Sequence, residues 1–169
     1  YYSYNLPVTI IRPFNIFGPR QSMRAVIPTI INQAILNKDK IYLGTTNSKR
    51  DYTFVLDAVN AFEKCINNKD AIGKTINIGN NFEVSIAEIV KFTSSISEQK
   101  IKIISDKKRI RPKKSEVMRL RSSNGLSGKL LKWKPTYKGK SGFKKALKIT
   151  FEWYKINQLK IFNSKKYII

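Results

Sequence analysis

The feature that most constrains the fold is a short apolar run near the start of the chain, residues 6–11 (LPVTII). The run is rich in β-branched residues, is too short for a helix and ends at an Arg-Pro pair, which is typical of a strand buried on both faces. Strands of that kind belong to parallel sheets whose faces are covered by helices. The run therefore predicts an α/β protein.

Short apolar strands and amphipathic helices alternate along the rest of the chain. Strands are predicted at residues 41–43, 51–55, 75–78 and 101–104, and helices at residues 25–36, 56–65, 85–96, 126–131 and from about 141 onward. The start of the third helix is the best-marked boundary, because Ser85 and Glu88 have the spacing of a capping box.

The last predicted helix carries its large apolar residues on one face, which predicts a cover that packs on the core. These residues are Phe143, Leu147, Phe151 and Tyr154. Cys65 also lies at helical spacing in an apolar face and is predicted to be a core residue. Residues 161–169 are predicted to form a mobile tail.

The chain has no histidine and one cysteine. An internal disulfide, a multi-thiolate metal site and a histidine-based catalytic triad are therefore excluded within this sequence. No apolar run approaches the ~18 residues that a membrane-spanning helix needs, and the first residues do not resemble a signal peptide. We therefore expect a cytoplasmic protein with no metal site and no membrane partner.

The net charge of +22 is concentrated in the carboxyl-terminal part of the chain. Residues 1–99 carry 11 basic and 8 acidic side chains, whereas residues 100–169 carry 22 basic and 3 acidic side chains. A basic segment of this kind indicates an anionic partner such as nucleic acid. However, 25 of the 33 basic residues are lysine, which cannot make the bidentate contacts of arginine. A solvated lysine surface is the simpler interpretation.

Residues 12–21 (RPFNIFGPRQ), which directly follow the first predicted strand, carry the most specific pattern in the sequence. They resemble the R-P-x-N-x-[YF]-G-P-R signature of the extended short-chain dehydrogenases that act on nucleotide sugars. Further matches to that family follow in order at residues 25–28 (AVIP), 50–58 (RDYTFVLDA) and 76–79 (INIG). The resemblance covers residues 1 to about 158. It implies the carboxyl-terminal half of an extended Rossmann-type fold, with the last parallel strands and a small substrate-binding α/β subdomain.

By this resemblance, residues 1–24 end a dinucleotide-binding domain, residues 25–158 are mostly a substrate-binding subdomain with returning Rossmann elements, and residues 159–169 form a flexible tail. Residues 109–117 (RIRPKKSEV) and 130–135 (LLKWKP) further resemble the bacterial NAD-dependent 4,6-dehydratases of legionaminic acid synthesis. Those enzymes use UDP-N-acetylglucosamine. The implied substrate is UDP-N-acetylglucosamine or a similar nucleotide sugar.

The resemblance also implies roles for individual residues. Arg50 would hold the substrate diphosphate and Arg111 would help to bind a phosphate or the ribose, as suits a forked and always charged guanidinium group. Asn15 would hydrogen-bond the nucleotide sugar. The other implied positions are Ala25, Val26 and Leu43 in the uridine pocket, Pro13 and Phe14 near the nicotinamide of NAD, and, less specifically, Asn77 and Asn81.

Several of these residues have a structural alternative. Arg50 could pair with its neighbour Asp51, and Arg111 could belong to a solvated basic loop. The two asparagines could simply form a turn. For Asp57, the simpler interpretation is that it caps or orients the following helix, and the alternative is that it contacts the substrate. Glu116 could orient an arginine or be exposed.

Two parts of the family's machinery are missing from the sequence. No G-x-x-G-x-x-G pattern follows a strand to bind the pyrophosphate of NAD, and the Tyr-x-x-x-Lys pair that the family uses for proton transfer is absent. The resemblance therefore implies a carboxyl-terminal fragment without catalytic residues, which depends on an amino-terminal half and forms a homodimer in the intact enzyme. An isolated half is expected to be poorly soluble, because a sheet edge and apolar surface stay uncovered.

The sequence leaves three interpretations of function open. The first is the substrate-binding half of a 4,6-dehydratase, with a 4-epimerase as the close competitor because both reactions begin with oxidation at C4. The second is a module that binds RNA, DNA or an acidic membrane surface through residues 100–169. The third is a decayed remnant, which Ser122, Ser123 and Gly125 mildly favour because the resembled enzymes usually have Ala, Asp and Ser there.

Overall fold

The computed structural model describes residues 1–37, 39–110, 112 and 116–163, with side chains as far as residue 157. This part of the chain forms nine short strands and five helices. The strands are β1 (Ile10–Pro13), β2 (Ile16–Phe17), β3 (Lys40–Leu43), β4 (Lys49–Asp51), β5 (Thr53–Phe54), β6 (Thr75–Ile78), β7 (Glu83–Ser85), β8 (Lys102–Ser105) and β9 (Arg119–Leu120). The helices are α1 (Val26–Asn37), α2 (Val55–Ile66), α3 (Ile86–Ser97), α4 (Gly125–Leu131) and α5 (Gly139–Asn163).

Most of the strand pairing is parallel. β1 pairs with β6, β2 with β5 and β3 with β8, and all three pairs are parallel. A three-stranded sheet has the order β7-β4-β9, in which β4 runs antiparallel to β7 and parallel to β9. The predicted α/β class, with parallel strands joined by helices, is confirmed.

The first strand differs from its prediction in position and in burial. Residues 6–9 are outside any strand, and β1 continues instead through Arg12 to Pro13, which lies opposite Ile78 of β6. Ile11 is the one residue of β1 that is partly buried. The prediction of a strand buried on both faces is therefore wrong for this structure, because within the described chain β1 pairs with β6 alone.

The predicted strand at residues 51–55 is divided into β4 and β5. These strands belong to different sheets, since β4 pairs with β7 and β9 whereas β5 pairs with β2. Tyr52 lies between them, at the point where the chain passes from one sheet to the other. Periodicity could not show this division. Residues 51–55 form one short run in the sequence, and its pattern of polar and apolar residues does not mark the change of sheet.

The last helix is longer than the sequence pattern indicates. α5 extends to Asn163, past residue 158, where the resemblance places the start of a flexible tail. No glycine or proline interrupts residues 143–163, so nothing in that segment ends a helix. Residues 164–169 lie outside the described residues.

The core has two clusters. The larger one joins α1, α3 and α5 with β3 and β5, and Phe143 lies at its centre. The Phe143 ring lies between 5.1 and 6.5 Å from four other aromatic rings, those of Phe17, Tyr52, Phe82 and Phe92. The smaller cluster joins α2, β6 and α4 around Trp133 and Cys65. The predicted apolar face of α5 and the core position of Cys65 are both confirmed.

A buried carboxylate connects three segments of the chain. Asp51 of β4 is fully enclosed, and its Oδ1 accepts the backbone N–H of Asn80 at 2.8 Å. Its Oδ2 accepts the backbone N–H and the hydroxyl of Ser122 at 3.0 and 2.6 Å. The Ser122 hydroxyl oxygen in turn accepts the backbone N–H of Asn81. Ser122 therefore fits its surroundings, which weighs against reading it as a sign of decay.

Asp57 connects α2 to the segment that leads into α5. Its carboxylate accepts the backbone N–H groups of Thr136 and Tyr137 at 2.7 and 3.0 Å, and its carbonyl oxygen accepts the indole N–H of Trp133. Asp57 therefore has a structural role, but it orients the segment before α5 and not the helix that follows it. It does not cap its own helix, since the N-cap residue of α2 is Phe54, which makes no side-chain capping bond.

The capping box of α3 predicts a pH-dependent contribution to stability. The Glu88 carboxylate accepts the backbone N–H and the hydroxyl of Ser85 at 2.9 and 2.7 Å, and these hydrogen bonds lower the pKa of Glu88. A lowered folded-state pKa stabilises the fold above the unfolded pKa of roughly 4.3, and this stabilisation is lost as the pH falls through the folded pKa.

We expect the urea midpoint of the wild type to fall between about pH 6 and about pH 3 by more than that of Glu88→Gln. Glu98→Gln is the matched control, because Glu98 is exposed at the other end of α3. Equal pH responses of the wild type and Glu88→Gln would contradict the assignment.

Removal of the Asp51 carboxylate is expected to destabilise the protein strongly. Asp51→Ala leaves the buried N–H groups of Asn80 and Ser122 without an acceptor, which costs about 3 kcal/mol of unfolding free energy. The measurement is urea denaturation followed by circular dichroism. Asp70→Ala should change stability by less than ~0.5 kcal/mol, because the exposed Asp70 carboxylate accepts no hydrogen bond in the described chain. Similar losses in both variants would show that Asp51 has no special role.

Candidate functional site

A cavity of about 400 Å³ opens where the start of α1, the end of β3 and β4 come together. The loop after β2 and the segment after β8 complete its walls. These elements are far apart in sequence. The buried Asp51 network described above fixes β4, the strand that carries Arg50, to the segments of Asn80 and Ser122.

Five of the residues implied by the family resemblance line this cavity. They are Asn15, Ala25, Val26, Leu43 and Arg50. They belong to four separate parts of the chain: the turn between β1 and β2, the start of α1, the end of β3, and β4. The structure therefore brings these residues to one place, and their role as ligand contacts stays a prediction.

The other implied positions lie elsewhere. Pro13 and Phe14 are at the end of β1, and Asn77 lies on β6 opposite Arg12; none of the three lines the cavity. Asn81 has a left-handed backbone, with φ of 53°, and its N–H is bonded to Ser122, which agrees with its alternative role in a turn. Arg111 lies outside the described residues.

The Arg50 guanidinium is held in place from two sides. Its Nη2 donates to Glu116 Oε1 at 2.9 Å, and its Nη1 donates to the carbonyl oxygen of Lys49 at 2.9 Å. The side chains of Arg50 and Glu116 are 15% and 11% exposed. Arg50 does not pair with Asp51, so its structural alternative is wrong, and Glu116 orients an arginine as one of its two interpretations states.

Asn15 is tied to the residue next to Arg50. Its Nδ2 donates to the carbonyl oxygen of Asp51 at 2.9 Å, and its own carbonyl oxygen accepts the N–H of Thr53 at 3.0 Å. The Asn15 Oδ1 has no hydrogen-bond partner within the described residues. Asn15 and Arg50 therefore keep a fixed spacing on the cavity wall, and the amide still has an acceptor to offer a ligand.

The structure adds lining residues that the sequence did not single out. These include Gln21, Arg24, Ser48, Tyr52 and Arg109. Arg109 reaches the wall because the backbone after β8 passes so close to Gly44 that a Cβ there would overlap the carbonyl oxygen of Arg109. The basic run 107–111 was a visible signal for Arg109. No sequence signal pointed to Arg24.

The cavity carries an excess of positive charge. Arg24, Arg50 and Arg109 supply three guanidinium groups, and Glu116 supplies one carboxylate. Arg109 also donates from Nε to Asp106 Oδ2 at 3.1 Å. Its two terminal nitrogens take no part in that hydrogen bond. The amino end of α1 lies on the same wall, where a helix favours anions. The arrangement suits an anionic ligand that carries about two negative charges.

Tyr52 is the cavity residue with the most strongly shifted acidity. Burial raises the pKa of Tyr52 to about 12, and the positive charge of Arg50 lowers it in part. The phenol is therefore neutral and protonated at ordinary pH. It can donate a hydrogen bond in the cavity, but it cannot act as a base there.

The described residues hold no group of three metal-ligating side chains, and the sequence has no histidine. No helix in the described part of the chain is long and apolar enough to cross a membrane.

Comparison with known proteins gives a family. The family model described as GDP-mannose 4,6 dehydratase matches residues 1–146. The dTDP-D-glucose 4,6-dehydratase of Mus musculus is 32% identical over 163 residues, which cover 91% of this chain and 42% of the mouse protein. The UDP-N-acetyl-alpha-D-glucosaminuronate decarboxylase of Bacillus cytotoxicus is 37% identical over 102 residues, which cover 59% of this chain and 32% of that protein.

Solved structures show the same fold. An epimerase from Methanothermobacter thermautotrophicus superposes with a TM-score of 0.84 and 28% identity, over 96% of this chain and 47% of the epimerase. The dTDP-glucose 4,6-dehydratase of Bacillus anthracis, solved in complex with NAD, gives a TM-score of 0.78 and 26% identity, over 94% of this chain and 48% of that enzyme. The chain thus spans less than half the length of these relatives. With its α/β fold and its nucleotide-sugar motifs in one structure, the chain belongs to the GDP-mannose 4,6 dehydratase family of extended short-chain dehydrogenases.

Proposed function

We propose that the cavity binds the nucleoside diphosphate of an activated sugar, and that the chain is the substrate-binding half of an NAD-dependent nucleotide-sugar 4,6-dehydratase. The observation that carries the proposal is the position of Arg50. Its guanidinium is mostly buried, is oriented by Glu116, and shares one cavity with Asn15 and the amino end of α1. A fixed fork of N–H donors beside a helix amino terminus is suited to phosphate oxygens.

The proposed substrate is UDP-N-acetylglucosamine or a similar nucleotide sugar. The names of the mouse and Bacillus cytotoxicus relatives are those of enzymes that act on nucleotide sugars. The second is named for a UDP-N-acetyl sugar acid. Leu43, Ala25 and Val26 give the cavity an apolar side on which a base can lie. The narrower resemblance to legionaminic-type dehydratases supports the N-acetylglucosamine derivative, and it rests partly on Arg111 and its neighbours, which lie outside the described residues.

NAD is the proposed cofactor, and the residues of this chain are suited to contact only its nicotinamide part. Pro13 is exposed and Phe14 is half-buried at the carboxyl end of β1, so they offer an apolar surface for one face of the nicotinamide. The sequence contains no Gly-rich loop for the pyrophosphate. When bound, NAD would supply hydride transfer to and from the sugar. The part of this chain in that chemistry is to bind and orient the substrate.

We further propose that the chain acts together with an amino-terminal half that supplies the Gly-rich loop and the Tyr-x-x-x-Lys pair, and that the intact enzyme is a homodimer. The exposed apolar residues near the start of the chain and on α2 support such a partner, because large apolar side chains at a surface are suited to burial against another protein surface. These residues are Leu6, Val8, Ile10, Leu56, Val59, Phe62 and Ile66.

A nucleotide-sugar 4-epimerase is the second candidate, favoured by the TM-score of 0.84 with the Methanothermobacter epimerase. Both reactions begin with oxidation at C4, so both require the nucleotide sugar to be bound in the same way. Binding of polyanions by the basic carboxyl-terminal part is the remaining alternative. Substitution of Arg50 distinguishes polyanion binding from the dehydratase and the epimerase, because nonspecific binding of a polyanion does not depend on one arginine in a cavity.

Substitution of Arg50 is expected to abolish nucleotide-sugar binding. Arg50→Ala removes the forked donor, so we expect the Kd for UDP-N-acetylglucosamine, measured by isothermal titration calorimetry, to rise by about 30-fold or more. Arg121→Ala is the matched control, because Arg121 is exposed and does not line the cavity. It should change the Kd by less than about twofold.

The salt dependence of binding separates the proposal from polyanion binding. Polyanion binding weakens steeply between low and high salt and is unaffected by Arg50→Ala. Binding of UDP-N-acetylglucosamine that is equally strong in Arg50→Ala and the wild type would overturn the proposed function.

Turnover is expected to require the amino-terminal half. We expect the chain alone to be poorly soluble and to leave UDP-N-acetylglucosamine unchanged with NAD present, since it has neither the cofactor loop nor the proton-transfer pair. Coexpression with the amino-terminal half of a related 4,6-dehydratase should raise soluble yield and allow loss of one water from the sugar, measured by mass spectrometry. The control is Arg50→Ala in the same pair. A soluble, cooperatively folded and active chain by itself would contradict this expectation.

A further inference from the structure

Tyr52 presents an unpartnered hydroxyl group to the cavity. The residue is 6% exposed and lines the cavity, and no described residue hydrogen-bonds its hydroxyl. Among the described residues, the enclosed side-chain polar atoms without a partner are Gln21 Oε1, Thr53 Oγ1 and Asn124 Oδ1. The Tyr52 hydroxyl is unpartnered but is not one of these enclosed atoms. Its oxygen therefore reaches the space of the cavity.

The Tyr52 ring is held so that this hydroxyl cannot turn away. It packs edge-on against Phe17, with ring centres 6.2 Å apart, and against Phe143 at 6.1 Å. Its backbone passes directly from β4 to β5, and both strands are paired in their own sheets. A buried polar group normally finds a partner, so a fixed and unpartnered one at a cavity wall indicates a partner that arrives with a ligand.

The hydroxyl lies within the electrostatic reach of Arg50. The positive charge of Arg50 acts on the pKa of Tyr52, although burial has the larger effect and keeps the phenol protonated. Glu116, the carboxylate of the cavity, is already engaged by Arg50 at 2.9 Å. No described acceptor is bonded to the phenol, so a bound ligand can supply one, and under the proposed function the ligand atoms beside Arg50 are phosphate oxygens.

We propose that the Tyr52 hydroxyl donates a hydrogen bond to a phosphate oxygen of the nucleoside diphosphate that Arg50 holds. This inference rests on the proposed function, and it makes Tyr52 a substrate-binding residue that adds affinity for phosphate without adding charge. Tyr52 lies within the matched segment 50–58, but the resemblance implies a role only for the neighbouring arginine, Arg50. Its hydroxyl is neutral, so its contribution should be insensitive to salt, unlike that of the surrounding arginines.

The test compares ligands with and without phosphate in Tyr52→Phe. This substitution keeps the ring and its contacts with Phe17 and Phe143 and removes only the hydroxyl. The Kd for UDP, measured by isothermal titration calorimetry, should rise by about tenfold, the usual effect of a lost hydrogen bond to a charged group. The Kd for uridine, measured by competition, should stay unchanged. Tyr42→Phe is the matched control, because Tyr42 is 43% exposed and does not line the cavity.

Two results would overturn the inference while the proposed function stands. One is an unchanged Kd for UDP in Tyr52→Phe, and the other is an equal loss of affinity for UDP and uridine, which would indicate a structural role. The ratio of the UDP Kd values of Tyr52→Phe and wild type should be constant between about pH 6 and about pH 9, because the phenol stays protonated over that range. Equal Kd values for UDP in the wild type and in Arg50→Ala would overturn the proposed function and this inference together.

Discussion

The buried carboxylate of Asp51 joins β4, the strand that carries Arg50, to the segments of Asn80 and Ser122. It accepts hydrogen bonds from Asn80 and Ser122, and the carbonyl oxygen of the same residue accepts the amide of Asn15. Its neighbours in the chain are Arg50 and Tyr52, which both face the cavity. An enclosed charge is tolerated only where hydrogen bonds satisfy it, so these partners cannot drift apart without a large cost in free energy. The positions of Asn15 and of β4, which carries Arg50, follow from this constraint.

The charge that matters for recognition is separate from the charge that dominates the composition. The cavity uses arginines, whereas the excess of positive charge lies in lysines of residues 100–169. On α5 the lysines as far as Lys155 are exposed, and two of them, Lys140 and Lys144, lie 5.8 and 4.8 Å from the centre of the Phe92 ring. The lysines of α5 therefore cover the outer side of the core and form a solvated surface. The cavity arginines carry the directional contacts.

β1 and one side of α2 are exposed in the described part of the chain. β1 has one paired edge in the described chain, and Ile10 is 53% exposed on it. A parallel strand with an open edge and apolar faces is suited to pairing with a further strand. The cavity does not depend on that edge, because its walls come from α1, β3, β4 and the segment after β8.

The sequence by itself determined the class of the fold, most element positions, the capping box of α3, the buried face of α5 and the family. Each depends on neighbours in sequence or on a short motif, where periodicity and residue chemistry act locally. The family resemblance also named Asn15, Leu43 and Arg50, and the structure places them on one cavity.

Tertiary structure alone decided the rest. The division of residues 51–55 between two sheets, the exposure of β1, the reach of Arg109 past Gly44, and the free hydroxyl of Tyr52 all depend on which distant segments lie alongside. Whether a polar group is satisfied is a property of its spatial neighbours, and a sequence pattern lists only its chain neighbours.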